Sequence, residues 1–570
     1  MNLIFCVFWC YFWLSVLAYN SSIIKLVDKE VQHLTLSSHK SHHNNVKNKW
    51  FEQELDHFNA TDNRTWKQRY HMNLKYYKMG GPVFLMVGGR EEISQSWMIS
   101  GAWIEYAQIF NAACFQLEHR YYGMSHPTEN LNTTNLVYLT IEQVLADLGA
   151  FINTISIEKK KLLNDTKWVG FGSSYSGSLV TWLRLKYPHL VHAAVSSSSL
   201  LKAKVNFEEY FIAVQKILTN YDPMCEFRIR QANKMIGNLI KTDYGAKYIQ
   251  KKFNTCAHHL NNSTKNLQQF FRDISRFIGL IVQDNEDNRY YDKMTDESTV
   301  TLVKLCDIMS NETFGCTIDR YAAVIKNVLS VCGTQCLSNT YEWRVRYFTE
   351  SFWNNTAVKY GNRQWLYQTC TEFGFFQTST QDHHLFGNTV SLEYFTDLCA
   401  DVFGKSEKRC LSSCPASYSQ LKVHYLDNCE HEDLVKGKTL QIGPRKNSEV
   451  YIEKKEGQSF TSLMRFNWKF NLNALSKAVN KTNMMYGGSR PRASRIVFVR
   501  GSIDPWNPLG LSFLPINSST IFIKGTSHCA DIDSSYSSDP TQLLKARIEI
   551  VMYLKKYLSE KDFSIEPILL

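Results

Sequence analysis

The hydrophobic pattern divides the chain into three parts. Short continuous apolar runs alternate with helix-length amphipathic stretches in the first and last parts, whereas the middle part shows long amphipathic stretches alone. Continuous apolar strands are typical of a sheet covered on both faces, and alternation of strand and helix at crossover spacing predicts mostly parallel strands. The pattern therefore predicts an α/β domain that is interrupted by a helical insertion.

The predicted elements follow from these runs. Strands are expected at Gln53–Phe58, Gln68–Asn73, Pro82–Val87, Ala112–Glu118, Thr166–Phe171, Ala193–Ser196, Arg495–Arg500 and Thr520–Lys524, and helices at Ile141–Ile155, Ser178–Tyr187, Phe227–Phe253, Leu267–Val282 and Leu543–Leu558. We expect the α/β domain to comprise residues 49–205 and 486–570, with a helical cap at 206–485. Within that cap, residues 405–462 are polar and irregular, which predicts low order.

The amino-terminal segment predicts export. Residues 1–18 are apolar, lack internal charges and are too short to span a bilayer, which is typical of a secretory signal peptide, and residues 19–48 read as a polar tail or propeptide. Sequons for N-glycosylation, such as those at Asn59, Asn132 and Asn480, occur along the whole chain. No later stretch predicts stable insertion into a membrane. We therefore expect a secreted or lysosomal protein.

Cysteine usage agrees with export. The chain has 15 cysteines, and two of them lie in the predicted signal peptide. Cys332 with Cys336, and Cys410 with Cys414, lack the second ligand pair of a zinc site, so disulfides are favoured. The odd number that remains requires at least one free thiol or an intermolecular bridge. We expect no metal and no cofactor.

The charge of the chain limits its partners. The net charge of +11 is spread along the sequence without basic blocks interleaved with aromatic residues, which argues against nucleic-acid binding. A homodimer is compatible with the sequence.

A serine between a predicted strand and a predicted helix suggests catalysis. The turn Gly172–Gly177 places Ser174 after a buried strand, and such a turn needs small neighbours because any bulk would strike the strand or the helix. Gly172 and Ser176 are small, although glycine is usual at both flanking positions. Serine–glycine turns between strands and helices are also common without any catalytic role. Whether Ser174 is catalytic therefore depends on residues elsewhere in the chain.

Two further strand exits complete the pattern. Asp504 follows one predicted core strand and His528 follows the next, and a serine hydroxyl needs an imidazole to accept its proton and a carboxylate to orient that imidazole. Singly, Asp504 could be a turn former and His528 a core histidine. Together, the order serine, aspartate, histidine at strand exits favours a triad that performs acyl transfer, with backbone N–H groups of Tyr175 and Gly89 as oxyanion donors.

The sequence resembles a family of serine peptidases that includes lysosomal Pro-Xaa carboxypeptidase, dipeptidyl peptidase II and thymus-specific serine protease. The resemblance covers most of the chain and is closest to the thymus-specific type. It rests on segments beginning at Phe51, Gly81, Glu118, Leu139, Lys186, Thr369, Tyr486, Asp504 and Gly525, together with the serine turn. It implies an α/β-hydrolase fold with a large helical cap, and exopeptidase action on short peptides at or near proline.

The chain departs from that family at four places. Ser173 replaces a glycine before the nucleophile, and Arg90 stands where an acidic residue commonly follows the glycine pair, with Glu91 shifted by one. Arg500 replaces an asparagine, and residues 405–462 have no recognisable counterpart. An esterase or lipase with the same triad, and a catalytically silent binding protein of the same fold, are the alternative hypotheses.

Overall fold

The computed structural model of the protein describes residues 46–163, 166–256, 260, 263–285, 300–331, 336–337, 340–380, 385–404, 441–442, 452–453, 470–537 and 539–560. The predicted signal peptide, nearly all of the predicted tail and most of the predicted polar segment 405–462 lie outside the described residues.

An eight-stranded sheet forms the centre of the fold, with its strands in the order β1-β2-β4-β3-β5-β6-β11-β12. The first two junctions are antiparallel, and the remaining five are parallel. This is the strand order of an α/β-hydrolase, so the predicted fold class and the mostly parallel sheet are confirmed. The strands are β1 Lys49–Glu54, β2 Thr65–Asn73, β3 Val83–Val87, β4 Ala113–Leu117, β5 Trp168–Ser173, β6 Ala193–Ser197, β11 Ile496–Gly501 and β12 Ser519–Ile523, and a separate short parallel pair is formed by β7 Lys204–Asn206 and β8 Gly374–Phe376.

Helices cover both faces of the sheet and form the cap. The α-helices are α1 Ala102–Phe110, α2 Ile141–Glu158, α3 Lys160–Leu163, α4 Ser174–Lys186, α5 Glu209–Tyr221, α6 Pro223–Leu239, α7 Asp243–Phe253, α8 Thr264–Gln283, α9 Leu302–Ser310, α10 Thr317–Val331, α11 Tyr341–Thr349, α12 Thr356–Lys359, α13 Asn362–Gln368, α14 Leu392–Phe403, α15 Leu472–Tyr486 and α16 Thr541–Ser559. Shorter 3-10 turns lie at Gln95–Met98, Leu136–Tyr138, Glu312–Phe314 and Asn507–Leu509, and a π-helical turn spans Thr369–Phe373.

Two apolar cores lie on opposite faces of the sheet. One core joins side chains of α2 and α4 to those of the cap helices, and the other joins α1 and α16 to the strands. Residues of β4 and β6 are buried throughout, which explains why these strands appear in the sequence as continuous apolar runs.

Three disulfides lie among the described residues of the helical part of the chain, and the predicted presence of disulfides is thereby confirmed. They join Cys225 to Cys306, Cys256 to Cys336, and Cys370 to Cys399. Among the described residues, Cys114, Cys316 and Cys529 are free thiols. Cys336 thus pairs with a distant cysteine, since the two half-cystines are 80 residues apart in sequence.

The predicted single helix Phe227–Phe253 is in fact two helices, α6 and α7. Thr242 caps the second one by accepting a hydrogen bond from the Gly245 amide at 3.1 Å. A Cβ atom on Gly245 would lie 2.0 Å from the Leu239 carbonyl oxygen, so the chain bends where only glycine fits. Amphipathic periodicity continues through this bend, which is why the sequence alone suggested one helix.

Residues Gly404–Lys469 form a second compact unit. Its described strands, β9 Gln441–Ile442 and β10 Ile452–Glu453, pair in antiparallel fashion.

Candidate active site

The turn after β5 holds Ser174 in a strained backbone conformation. Its φ angle is +52°, in the left-handed region that residues with side chains rarely adopt. The turn is tighter than the sequence suggested, because β5 ends at Ser173 and α4 begins at Ser174 itself. A Cβ atom on Gly172 would lie 2.2 Å from the Ser176 carbonyl oxygen, so glycine is required there. Strain of this kind at a strand–helix turn is typical of a nucleophile elbow.

Ser176 closes this turn. Its hydroxyl accepts a hydrogen bond from the Ser173 amide at 3.0 Å and donates one to the Ser173 carbonyl oxygen at 2.9 Å. Ser176 therefore stabilises the turn with two side-chain hydrogen bonds that a glycine at this position could not make.

Asp504 and His528 come together in the loops that follow β11 and β12. The imidazole Nδ1 of His528 lies 2.9 Å from Oδ1 of Asp504, and both side chains are buried. The same carboxylate oxygen accepts the Trp506 amide at 2.9 Å, which fixes its orientation. Burial lowers the pKa of His528, but the negative charge of Asp504 outweighs it and raises that pKa well above its ordinary value.

The elbow and these two loops open at the same edge of the sheet. β5, β6, β11 and β12 are consecutive neighbours and run parallel, so their carboxyl ends share one edge. Within the described residues, no hydrogen bond joins the Ser174 hydroxyl to the His528 imidazole. Bonds of this type are often long in a free enzyme and tighten when substrate binds.

The loop after β3 lies against the elbow. A Cβ atom on Gly89 would be 3.6 Å from the Ser176 Cβ, which puts the Gly89 backbone beside the start of α4. The Tyr175 hydroxyl is held in place by the Gln368 amide at 2.8 Å and lies 3.2 Å from Nε2 of His119. The two backbone positions predicted as oxyanion donors therefore both border the turn that carries Ser174.

Sequence reasoning missed the cap residue that contacts both triad loops. Gln283, the last residue of α8, accepts the His528 backbone N–H at its carbonyl oxygen at 3.1 Å, and its side-chain oxygen accepts the Trp506 indole N–H at 2.7 Å. The Tyr210 hydroxyl lies 3.2 Å from the same side-chain oxygen. Nothing in the amphipathic pattern of α8 distinguishes this glutamine from a solvent-exposed one.

His57 has a structural role. Its Nε2 lies 2.8 Å from Oδ1 of Asp147, whose carboxylate also receives two hydrogen bonds from the buried Arg120 guanidinium. This network joins β1 to α2 and the loop after β4, on which His119 and the tyrosines of the Glu118–Gly123 segment lie.

One group of side chains has the spacing of metal ligands in the described ranges, namely Asp222, Cys225 and Cys306. The two sulfurs are joined in a disulfide, so they are not available to a metal ion. Within the same ranges, none of the helices combines the length and apolar character that crossing a bilayer requires.

Comparison with known proteins adds to this geometry. The family model described as Serine carboxypeptidase S28 matches residues 53–422 and 461–550. The chain belongs to the serine carboxypeptidase S28 family. It is therefore a serine peptidase, and the resemblance inferred from its motifs is confirmed.

Members of the S28 family match along nearly the whole chain. The thymus-specific serine protease of Mus musculus is 29% identical over 526 residues, which cover 90% of this chain and 87% of that protein. The lysosomal Pro-X carboxypeptidase of Pongo abelii is 22% identical over 524 residues, covering 90% and 88%. Among solved structures, the proline iminopeptidase of Mycobacterium smegmatis matches over 86% of this chain and 96% of its own chain. The two sequences are 8% identical over this match, and the TM-score is 0.32.

The departures from the family pattern occupy defined places. The Arg90 guanidinium lies 4.8 Å from the centre of the Trp365 ring, beside the loop that carries Gly89. Arg500 donates a hydrogen bond to the Leu511 carbonyl oxygen at 3.0 Å, and burial lowers its pKa. Arg500 thus holds the chain that follows the Asp504 loop, whereas Arg90 borders the candidate site itself.

Proposed function

We propose that Ser174, Asp504 and His528 form the catalytic triad of this S28 peptidase and that it cleaves peptides through an acyl-enzyme. The observation that carries the proposal is the buried bond of 2.9 Å between His528 and Asp504, at the same sheet edge as the strained Ser174. This arrangement supplies a nucleophile, a base and a group that orients the base.

The chemistry follows from these positions. His528 accepts the Ser174 proton as the hydroxyl attacks the scissile carbonyl, and Asp504 stabilises the imidazolium that forms. Backbone N–H groups of Tyr175 and Gly89 donate to the oxyanion of the tetrahedral intermediate. His528 then returns the proton to the leaving amine, and water attacks the acyl-enzyme by the reverse route.

We propose exopeptidase action on short peptides, and the surroundings of His528 support a preference for cleavage at or near proline. The Trp506 ring centre lies 6.3 Å from that of His528, and Phe207, Tyr210 and Phe375 pack around the same indole at 5.3–6.0 Å. The partly exposed Trp506 ring, held by these buried aromatic residues beside His528, offers an apolar surface that suits a small apolar ring such as proline. The name of one relative, lysosomal Pro-X carboxypeptidase, agrees with this preference.

The test is digestion of a defined peptide library, with the products read by mass spectrometry. The proposal predicts removal of one or two residues from one end of proline-containing peptides, and loss of that activity in Ser174→Ala. Faster turnover of acyl esters than of every peptide would favour the esterase hypothesis. Stable binding of peptides without products would favour a silent binding protein.

We further propose that the protein acts in the secretory route, in a lysosome or outside the cell. The three disulfides need an oxidising compartment, and relatives include proteins named as lysosomal and extracellular. A glycosidase-sensitive mass, and loss of residues 1–18 from the mature protein, would be the expected findings. A protein recovered without glycans from the cytosol would contradict the proposal.

A further inference from the structure

A cavity lies beside the elbow, on the side of the sheet opposite the cap. Its volume is about 110 Å³, several times the roughly 10–15 Å³ that one water needs. The walls come from the loop after β3, from α1, from the turn Gly172–Ser176 that contains the proposed nucleophile, and from the chain just after His528. A group in this cavity would therefore be adjacent to the Ser174 hydroxyl.

Three acidic residues line the cavity, and one of them, Glu92, is ion-paired with Arg69, which leaves the carboxyl groups of Glu91 and Asp531. Asp531 is buried and accepts one hydrogen bond, from the Ser197 hydroxyl at 2.5 Å. Glu91 has neither a hydrogen bond nor an ion pair within the described residues, although its neighbour Arg90 attracts it at longer range. Burial raises the pKa of Glu91 to about 8 and also raises that of Asp531. Both carboxylates thus lack the compensation that a close cation would provide.

A buried hydroxyl gives an independent indication of a ligand. Tyr106 of α1 lines the same cavity with 4% of its surface exposed, and its hydroxyl has no hydrogen-bond partner in the described part of the chain. Burial raises the pKa of Tyr106, and the nearby charge of Asp531 raises it further, so the two groups share one environment. An unpaired buried hydroxyl is unfavourable, and a ligand with polar atoms would give it a hydrogen-bond partner.

The cations near this cavity are engaged elsewhere. Arg90 is the basic residue among those lining the cavity, and its guanidinium stacks 4.8 Å from the centre of the Trp365 ring. Arg547 and His528 also attract Asp531, but the Arg547 guanidinium is hydrogen-bonded to Asp539 and the His528 imidazole to Asp504. A positive charge brought by a ligand would thus meet carboxylates that the protein leaves without a close cationic partner.

The remaining walls suit the stem of a basic side chain. Trp97, Trp103 and Phe171 line the cavity with aromatic surface. Aromatic faces attract ammonium and guanidinium groups and pack against the methylene chain that carries them. The cavity therefore combines an apolar wall with two carboxyl groups whose ionised form a bound cation would stabilise, and with a hydroxyl that has no hydrogen-bond partner among the described residues, next to the proposed nucleophile.

We propose that this cavity is a subsite for a protonated amine or guanidinium of the peptide substrate, with Glu91 and Asp531 as its specificity-determining residues. The inference rests on the proposed function, since a subsite requires that Ser174 is the nucleophile. Two parts of a peptide can supply the charge: the free α-amino group, or a lysine or arginine side chain close to the scissile bond.

The test uses the full-length protein and matched peptide pairs. One series places lysine or norleucine at each position around the cleaved bond, and the other compares free with acetylated amino termini. In one of the two series, we expect the charged peptide to have a kcat/KM about tenfold to a hundredfold higher than that of its neutral counterpart. A charge-assisted hydrogen bond contributes a factor of this size. The series that shows this preference identifies the source of the charge.

Glu91→Gln and Asp531→Asn test the residues themselves. Each should reduce the charged-to-neutral ratio several-fold, and the ratio stays informative if overall activity falls, because both peptides undergo the same chemistry. Glu129→Gln, which removes a negative charge from an exposed position, is the matched control and should leave the ratio unchanged. Glu91 is only partly buried, so its variant should fold even if Asp531→Asn does not.

Two outcomes would overturn the inference, and they can be told apart. If the wild-type protein cleaves both members of every pair equally while Ser174→Ala is inactive, the cationic subsite is wrong and the triad stands. If no peptide is cleaved and no serine reagent labels Ser174, both proposals fail.

Discussion

Glu372 is expected to make the stability of the protein depend on pH. It lies in the π-helical turn Thr369–Phe373, and its Oε1 accepts the backbone N–H of Ile141 at the start of α2 at 3.0 Å. Its Oε2 is buried and has no hydrogen-bond partner in the described residues. Burial raises the pKa of Glu372 from 4.5 to about 8.

The size and sign of the effect follow from this shift. Because the pKa is higher in the folded than in the unfolded protein, the folded state gives up this proton less readily. The contribution of Glu372 to stability is therefore fully present below about pH 4.5 and is lost as the pH rises towards 8. At about 1.4 kcal/mol per pKa unit, the loss at pH 7 is about 3 kcal/mol.

Glu372→Gln removes the ionisation and keeps the shape. We expect the variant to match the wild type at pH 4.5 and to be more stable by about 3 kcal/mol at pH 7, seen as several degrees in Tm by intrinsic fluorescence. Glu129→Gln is the control, since that side chain is exposed and is not among the groups that shift the pKa of Glu372, and it should change Tm little at either pH. An identical Tm difference for Glu372→Gln at both pH values would refute the reasoning.

Three further predictions concern the triad and the cap. Asp504→Asn should lower kcat about 10⁴-fold and move the acidic limb of the pH–rate profile to lower pH, because the charge that raises the pKa of His528 is removed; an unshifted limb would contradict this role. Gln283→Ala should lower kcat/KM about tenfold, because it leaves the partly buried indole N–H of Trp506 without its hydrogen-bond acceptor, whereas Gln283→Glu keeps the acceptor and should retain most activity. Replacing Cys256 and Cys336 by alanine should lower the unfolding free energy by about 4 kcal/mol in denaturant titrations, given the 80-residue separation, and an unchanged midpoint would argue against the disulfide.

The sheet could be predicted from the sequence because its strands are buried on both faces. A run such as Val83–Val87 is apolar at every position, which favours a buried strand. The predicted and observed boundaries therefore differ by only one residue there and at Ala193–Ser197. The disulfides could be predicted in kind but not in pairing, since spacing in the chain says nothing about which cysteines meet in space. The fold class and the family followed from these strands and the motifs between them.

Some details of the site could not be predicted, because packing in the fold overrides the secondary structure and solvent exposure that these residue types usually have. Ser174, Tyr175 and Ser176 have the composition of a turn, yet all three are buried and start α4 directly. Gln283 and Gln368 lie on helices where a polar residue normally faces solvent, but both hold the loops of the candidate site. The convergence of Asp504 with His528 could be anticipated from two adjacent strand exits, because parallel neighbours end at one edge.

Mapping the attachment site of a fluorophosphonate reagent tests the central claim most directly. We predict a single stoichiometric adduct on the peptide that contains Ser174, loss of peptidase activity in step with labelling, and no adduct in Ser174→Ala. An active protein that resists the reagent, or an adduct on a different serine with peptidase activity retained in Ser174→Ala, would contradict the account.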